Sequence, residues 1–465
     1  MKKVIFCILT VITVATLNAQ DIAGTWNGLL DVQGSQLRLV FNINKTATGI
    51  SATMDSPDQG AAGIPTSSAR FENGVLTIAI ANMKMQYEGK LGENNTITGI
   101  FKQGPMSLPL NLTKEKVEKA KLVRPQEPVQ PYPYYTEDVT FTNAKAQITL
   151  AGTLTLPKKE GKFPVVVLIS GSGPQNRDEE LLGHKPFLVL ADHLTKNGIG
   201  VLRFDDRGVG ASKGDFATAT SADFATDVEA AISYLATRKD MIINKIGLMG
   251  HSEGGIIAPM VAAKSKDVTF IVLLAGTGIK GDELLLLQGE LIGKAGGETA
   301  EKLKINQTIN KGAFDRVKKL ADAKVLKSEL ELYFQQKLKE YPSVKPEGMS
   351  EERFIQTQVM TLTSPWMRFF IKYDPATALT SVKCPVLAIN GEKDLQVPAK
   401  TNLDAIKMNL EKGKNKDVTI KSFPNLNHLF QECTTGSPDE YAKIEQTFAP
   451  VALNEITNWL LKQVK

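Results

Sequence analysis

Histidine, cysteine and net charge are all scarce in this chain of 465 residues, which has four histidines, three cysteines and a formal charge of +5. So small a basic excess argues against nucleic acid or an anionic membrane as the main partner. No Cys/His cluster has metal-ligand spacing, so neither a structural nor a catalytic zinc site is expected. Cys384 and Cys433 are the only cysteines outside the N-terminal segment, and nothing in the sequence shows that they meet; free thiols are expected at least as much as a pair. Low-complexity segments are missing too. With 42% hydrophobic residues the chain can build a large core over two or three domains.

Residues Met1 to Ala19 begin with Lys2 and Lys3, continue through the apolar run Val4 to Val14 and end in the small-residue stretch Leu17-Asn18-Ala19. This pattern reads as a cleavable signal peptide, too short and wrongly flanked for a lasting transmembrane helix. Cys7 lies deep inside it, without the small residue a lipoprotein cleavage site needs, so no lipid anchor is expected. Removing the segment takes two lysines and no acids, leaving 53 basic and 50 acidic residues and a charge of +3. The mature protein is expected to be exported, periplasmic or secreted, and without a stable membrane anchor.

From residue 20 to 113 short alternating segments are separated by turn signals. Leu37 to Ile43, Val75 to Ile80 and Thr96 to Phe101 are strand-like, with Asn73-Gly74 and Glu93-Asn94-Asn95 as hairpin signals. The spacing predicts a small antiparallel barrel or sandwich. It holds no histidine and no visible catalytic constellation, so it is expected to shield, position or form a homodimer, with a ligand calyx as the alternative. Residues 114–135 are expected to hold a short charged helix (Thr113 to Lys121) and a stiff linker carrying Pro125, Pro128, Pro131 and Pro133.

Residues 136–465 carry a different rhythm. A hairpin over Asp138 to Leu156 precedes the continuous apolar run Phe163 to Ile169, after which helices and strands alternate, predicting a mostly parallel α/β sheet with helices on both faces. Ligands in such folds belong at the carboxyl ends of the strands. The alternation is broken by a largely helical, amphipathic stretch at about 278–375, expected to be a cap. Its most aromatic part is Ser364 to Phe370. Trp366, Phe369 and Phe370 are expected either to wall an apolar substrate pocket or to glue cap to core.

Between an apolar run and a helical pattern stands Gly250-His251-Ser252-Glu253-Gly254-Gly255, a G-x-S-x-G turn of the strand–turn–helix kind that exposes a nucleophilic serine. A serine hydroxyl needs a neighbouring base, and the base a carboxylate to orient it. Of the four histidines, His251 adjoins the serine and is expected to point into the turn's packing, His193 sits in a predicted helix, and His184 lies in a charged upstream loop. His428 alone follows a late strand, and is the candidate base with His184 as the alternative. Asp394, in the loop one strand earlier, is the candidate acid, with Glu392 as the fallback. Backbone N–H groups of Glu253 and of Gly171 or Ser172 are the candidate oxyanion donors. Asp205 and Asp206 are expected to brace the turn rather than to react.

The runs SGSGPQNRDE (Ser170 to Glu179), RFDDRGVGAS (Arg203 to Ser212), GHSEGG (Gly250 to Gly255), GEKDLQVP (Gly391 to Pro398) and NHLFQ (Asn427 to Gln431) together resemble the α/β-hydrolase superfamily. More narrowly they are similar to its secreted bacterial carboxylesterases and serine-aminopeptidase-like members with an extra N-terminal β domain. The resemblance covers about 138–465 and departs at Ser170, where many relatives carry histidine in an HG or HGGG motif. It implies a Ser252, His428 and Asp394 triad, an acyl-enzyme, a small-molecule ester as partner, and neither metal nor organic cofactor. A peptidase that binds a free α-amino group, through Asp178, Glu179, Glu180 or Glu253, is the runner-up; a non-catalytic binding protein on the same scaffold is the contrasting class.

Overall fold

A computed structural model of the protein describes residues 22–465 apart from 33–34, 93, 105, 120–122, 240 and 347–348. The expected signal segment lies outside the described residues. The chain divides into two compact units, one within residues 22–120 and the other within 121–465.

The first unit is a single antiparallel sheet curled into a half-barrel. Its strands are β1 (Gly24–Val32), β2 (Ser35–Thr46), β3 (Gly49–Ser56), β4 (Ala61–Pro65), β5 (Ser68–Glu72), β6 (Val75–Ile80), β7 (Met85–Leu91), β8 (Thr96–Gln103), β9 (Met106–Pro109) and β10 (Leu112–Thr113). They run in the order β4-β3-β2-β1-β10-β8-β7-β6-β5, with β9 on β8. Strand β7 shows why the sheet has a single dry face: Met85, Tyr87, Gly89 and Leu91 are buried while Gln86, Glu88 and Lys90 between them are exposed. Asn73 and Gly74, at φ +51° and +76°, close the β5–β6 hairpin, the left-handed pair that a two-residue turn demands. Trp26, Phe41, Ile78, Tyr87 and Ile97 are fully buried, so the interior is a packed core rather than a calyx. The helix expected from Thr113 onward is not formed over 114–119. So short a segment is marginal without an apolar face to bury, and its lysines engage the unit instead: Lys119 pairs with Asp58 at 3.1 Å and Lys114 donates to the Ala23 carbonyl at 3.2 Å.

The second unit is built on an eight-stranded sheet of β11 (Tyr135–Asn143), β12 (Ile148–Leu156), β13 (Phe163–Ile169), β14 (Gly200–Phe204), β15 (Met241–His251), β16 (Val268–Leu274), β17 (Val386–Gly391) and β18 (Val418–Phe423). Their order is β11-β12-β14-β13-β15-β16-β17-β18, antiparallel over the first three and parallel thereafter. The apolar run of β13 is buried on both sides because it divides two cores. Val165, Val167 and Ile169 face helices α2 (Ser221–Ala236), α3 (Gly254–Ala262) and α10 (Ala399–Lys412), whereas Val166 and Leu168 face α1 (Pro186–Lys196) and α11 (Pro450–Gln463).

Between β16 and β17 the chain leaves the sheet to form the cap: α4 (Gly281–Ala295), α5 (Ala300–Lys319), α6 (Ala323–Glu340), α7 (Glu351–Thr363) and α8 (Pro365–Lys372), followed by the short α9 (Ala376–Leu379). Thr299, Asp322, Ser350 and Ser364 cap four of these helices, each accepting backbone N–H bonds that would otherwise be unpaired. The cap has a core of its own around Phe314, Leu330, Tyr333, Phe334 and Leu362.

Candidate active site

Sterics alone single out the turn from β15 into α3. Ser252 has φ +52°, a left-handed conformation that costs a residue with a side chain on the order of 1–3 kcal/mol. Its neighbours hold it there: the Ser252 N–H donates to the Leu274 carbonyl at 2.9 Å, and the Ser252 carbonyl accepts from the Gly255 N–H at 2.9 Å. A Cβ on Gly250 would lie 1.9 Å from the Gly254 oxygen, and one on Gly254 would lie 2.2 Å from the Ile169 oxygen. Both flanking glycines are therefore required by close backbone approach.

Two loops at the carboxyl ends of neighbouring strands carry the candidate base and acid. His428 follows β18, and its Nδ1 lies 2.7 Å from Oδ2 of Asp394, which follows β17. The other oxygen of Asp394 accepts the N–H groups of Gln396 and Val397, both at 2.8 Å. Both side chains are buried. Asn427 shapes the histidine's loop by accepting the N–H groups of Leu429 and Gln431 at 3.0 Å. Glu392 faces elsewhere and accepts from Ser422 Oγ at 2.7 Å in an exposed bond.

The remaining histidines separate by environment. His184, the alternative base, is buried against Thr447, the Tyr441 carbonyl and Gln431. Burial pushes its pKa down to about 4, so it is a neutral structural ring. His193 is half-buried on α1 and burial lowers it as well. His251 is tied at both ends: Nδ1 lies 2.9 Å from Oε1 of Glu179 and Nε2 lies 3.0 Å from the His428 carbonyl. Its ring centroid is 4.9 Å from that of His428. Burial opposes a charge on this ring, but Glu179, the His428 carbonyl and Asp394 outweigh it, and the net shift of its pKa is upward.

The glycine loop after β13 separates its two candidate donors. The Gly171 N–H donates to Oε1 of Glu179 at 2.7 Å, so it is already occupied. Ser172 remains of the two candidates on that loop. Glu253 is the N-cap residue of α3, where the first N–H groups of a helix lack intrahelical partners. Asp206 braces the same loop, accepting from Ser170 Oγ at 2.7 Å and from the Gln175 N–H at 2.9 Å. Burial pushes the Asp206 pKa up to about 7, against the pull of those two bonds. Asp205 holds Arg177 through 2.8 and 3.1 Å contacts, while Arg207 pairs with Asp227 on α2 at 2.8 Å. The aspartates thus brace the glycine loop after β13 more than the serine turn. A cavity of about 10 Å³, room for one water, is lined by Ser170, Gly171, Asp206 and Glu253 among others.

The cap aromatics divide as well. Trp366 donates its indole N–H to Glu253 Oε1 at 2.8 Å, beside the Ser221 hydroxyl at 2.6 Å, and stacks on Phe370 with centroids 5.1 Å apart. Burial raises the Glu253 pKa, with those two donors opposing. Phe370 is buried and Phe369 stacks on Tyr373 at 5.5 Å. Phe370 is therefore glue between cap and core rather than an open wall, and Trp366 reaches the residue that follows Ser252. The Glu179–His251 and Trp366–Glu253 contacts are not indicated by the sequence. Glu179 lies within the same run as the glycine loop, but nothing in that run shows which histidine it meets.

Among the described residues no group of His, Cys, Asp or Glu is arranged to hold a metal ion, no helix is long and apolar enough to cross a membrane, and Cys384 and Cys433 are free thiols.

Comparison with known proteins adds the following. The family model described as X-Pro dipeptidyl-peptidase (S15 family) matches residues 147–412, and that of the dienelactone hydrolase family matches 372–461. Esterase EstD of Thermotoga maritima is 26% identical over 453 residues, 96% of this chain and 89% of that protein. Among solved structures, the α/β-hydrolase GrgF of Penicillium sp. sh18 is 16% identical with a TM-score of 0.44, covering 71% of this chain and 99% of that one. An esterase of Pyrococcus furiosus is 16% identical with a TM-score of 0.43, covering 75% of this chain and all of its own.

Proposed function

The chain belongs to the X-Pro dipeptidyl-peptidase (S15) family, and from that premise we propose that it is an exported carboxylesterase-type serine hydrolase acting on esters of small to medium acyl groups. It is a hydrolase of the esterase and peptidase type. The observation that carries the reading is the pairing of His428 with a buried Asp394, the His428 carbonyl lying 3.0 Å from Nε2 of His251, which directly precedes a serine held at positive φ between two obligatory glycines.

In the proposed mechanism Ser252 Oγ attacks the ester carbonyl carbon while His428 Nε2 takes the hydroxyl proton, and Asp394 steadies the imidazolium through Nδ1. The tetrahedral oxyanion is met by the N–H groups of Glu253 and Ser172. As the intermediate collapses, the alcohol leaves with the proton from His428. Water, deprotonated in turn by His428, then releases the acid and restores Ser252.

The family's name favours a second reading, a peptidase that recognises a free α-amino group. Its acidic recess draws little support from the four candidate acids, since three are held internally. Asp178 pairs with Arg203, Glu179 with His251 and the Gly171 N–H, and Glu253 with Ser221 and Trp366; Glu180 stands exposed beside Asn176. The test is a panel of p-nitrophenyl acetate, butyrate and long-chain esters beside aminoacyl p-nitroanilides. The expected result is fastest turnover of the short esters, abolished by Ser252→Ala. Undiminished turnover in that variant would remove Ser252 from the mechanism, and a preference for anilides with a free amine would favour the peptidase.

A further inference from the structure

Both ring nitrogens of His251 face oxygen acceptors. Nδ1 meets a carboxylate oxygen of Glu179 at 2.9 Å and Nε2 meets the backbone carbonyl of His428 at 3.0 Å. A neutral imidazole has one N–H and one lone pair, so one of these contacts would set a lone pair against an oxygen. Two N–H donors satisfy both at once. The carboxylate has a matching reason to want a cation. Glu179 is buried, its Oε1 also accepts the Gly171 N–H at 2.7 Å, and its Oε2 has no hydrogen-bond partner among the described residues.

The surroundings leave few other charges to interfere. Toward His251 the titratable groups are Glu179 from the loop after β13, Asp394 from the loop after β17 and His428 from the loop after β18. The other side of the Glu179–His251 pair is apolar: Phe187 and Leu190 of α1, Leu274 of β16, Phe430 and Phe448 line the small cavity that both side chains share.

We infer that His251 is a permanent imidazolium, locked by Glu179, and that this buried ion pair is a positioning device that joins the oxyanion loop to the His428 loop across the serine turn. One carboxylate oxygen holds Gly171 and the ring; the ring in turn holds the carbonyl of the candidate base. His251 itself, with both nitrogens engaged, has no free site for shuttling a proton. The inference rests on the proposed roles of Ser252 and His428 for its catalytic consequence, but the charge state of His251 does not.

The experiment therefore separates the two. The full chain carrying Ser252→Ala, labelled with ¹⁵N histidine, has four imidazoles to observe by NMR. The expected spectrum at pH 7 to 8 contains one ring with two N–H protons, absent when His251→Gln is added and converted to a single N–H form by Glu179→Gln. A singly protonated His251 ring in the Ser252→Ala protein would overturn the inference whether or not the protein is an esterase. In the otherwise native enzyme, Glu179→Gln keeps the side chain's shape, and the expected effect is a loss of about ten- to hundredfold in kcat with KM within about twofold, as a slight misplacement of reacting groups produces. Unchanged kcat alongside a neutral ring would show that the pair positions nothing. If the native enzyme cleaves none of the esters, the functional reading fails while the NMR arm still decides the charge state.

Discussion

Two histidine–carboxylate pairs stand side by side in the second unit, and they are chemically alike but differently wired. In Asp394–His428 the carboxylate engages Nδ1 at 2.7 Å, and the proposed mechanism uses the remaining Nε2. In Glu179–His251 a carboxylate again engages Nδ1, at 2.9 Å, but Nε2 is already bound to the His428 carbonyl at 3.0 Å. A ring with one nitrogen to offer can take up and return a proton, whereas a ring with both nitrogens bonded to acceptors can only hold its neighbours. The second nitrogen, more than the pairing itself, divides the proposed base from the proposed brace. His184 extends the comparison: without a carboxylate partner, burial makes its ring neutral.

The sharpest way to break this comparison is to remove the proposed base. His428→Gln is expected to lower kcat for p-nitrophenyl acetate by at least about 10⁴-fold, since the serine then lacks its proton acceptor. If the variant kept activity within tenfold, the two pairs would have to exchange roles. Next comes the carboxylate. Asp394→Asn is expected to cost roughly 10³- to 10⁴-fold in kcat by favouring the wrong tautomer, while Glu392→Gln in the same loop leaves kcat within about twofold. Equal losses in the two variants would return Glu392 to the candidate acids.

The smallest effect concerns the loop that Glu179 shares with Asp206. The Asp206 pKa is raised from 3.8 to about 7, so the folded protein keeps a proton that the unfolded chain gives up. Its contribution to stability is therefore full below about pH 4 and is lost as pH rises toward 7. Asp206→Asn should remove up to about 1.4 kcal/mol per pH unit from the slope of unfolding free energy over that interval, measured by denaturant titration at several pH values. An unchanged slope would mean that Asp206 ionises in the fold as freely as in the unfolded chain.

Much of the fold and of this site is legible in the residues themselves. The run Phe163 to Ile169 is uniformly apolar because it is buried on two faces, and the run Met85 to Leu91 alternates because it is buried on one. The expected helix after Thr113 failed for the converse reason: charge and helix propensity were present but no apolar face was there to be buried. Trp366 was legible as an aromatic of the cap, but its bond to Glu253, 113 residues away, was not.

What the sequence determined by itself is what neighbouring residues impose on each other. Gly250 is set by backbone crowding within the turn, strand and helix periods by burial along each element, and the chain order of Ser252, Asp394 and His428 by the succession of strands. The sheet order β13-β15-β16-β17-β18 decided the rest, because it gathers the loops at the carboxyl ends of those strands. Glu179 thus reaches His251 over 72 residues, and His251 reaches the carbonyl of His428 over 177. Such a bond depends on where two loops end in space and on which nitrogen is left over. No spacing along the chain encodes it, so the histidine beside the serine became the link between the two loops.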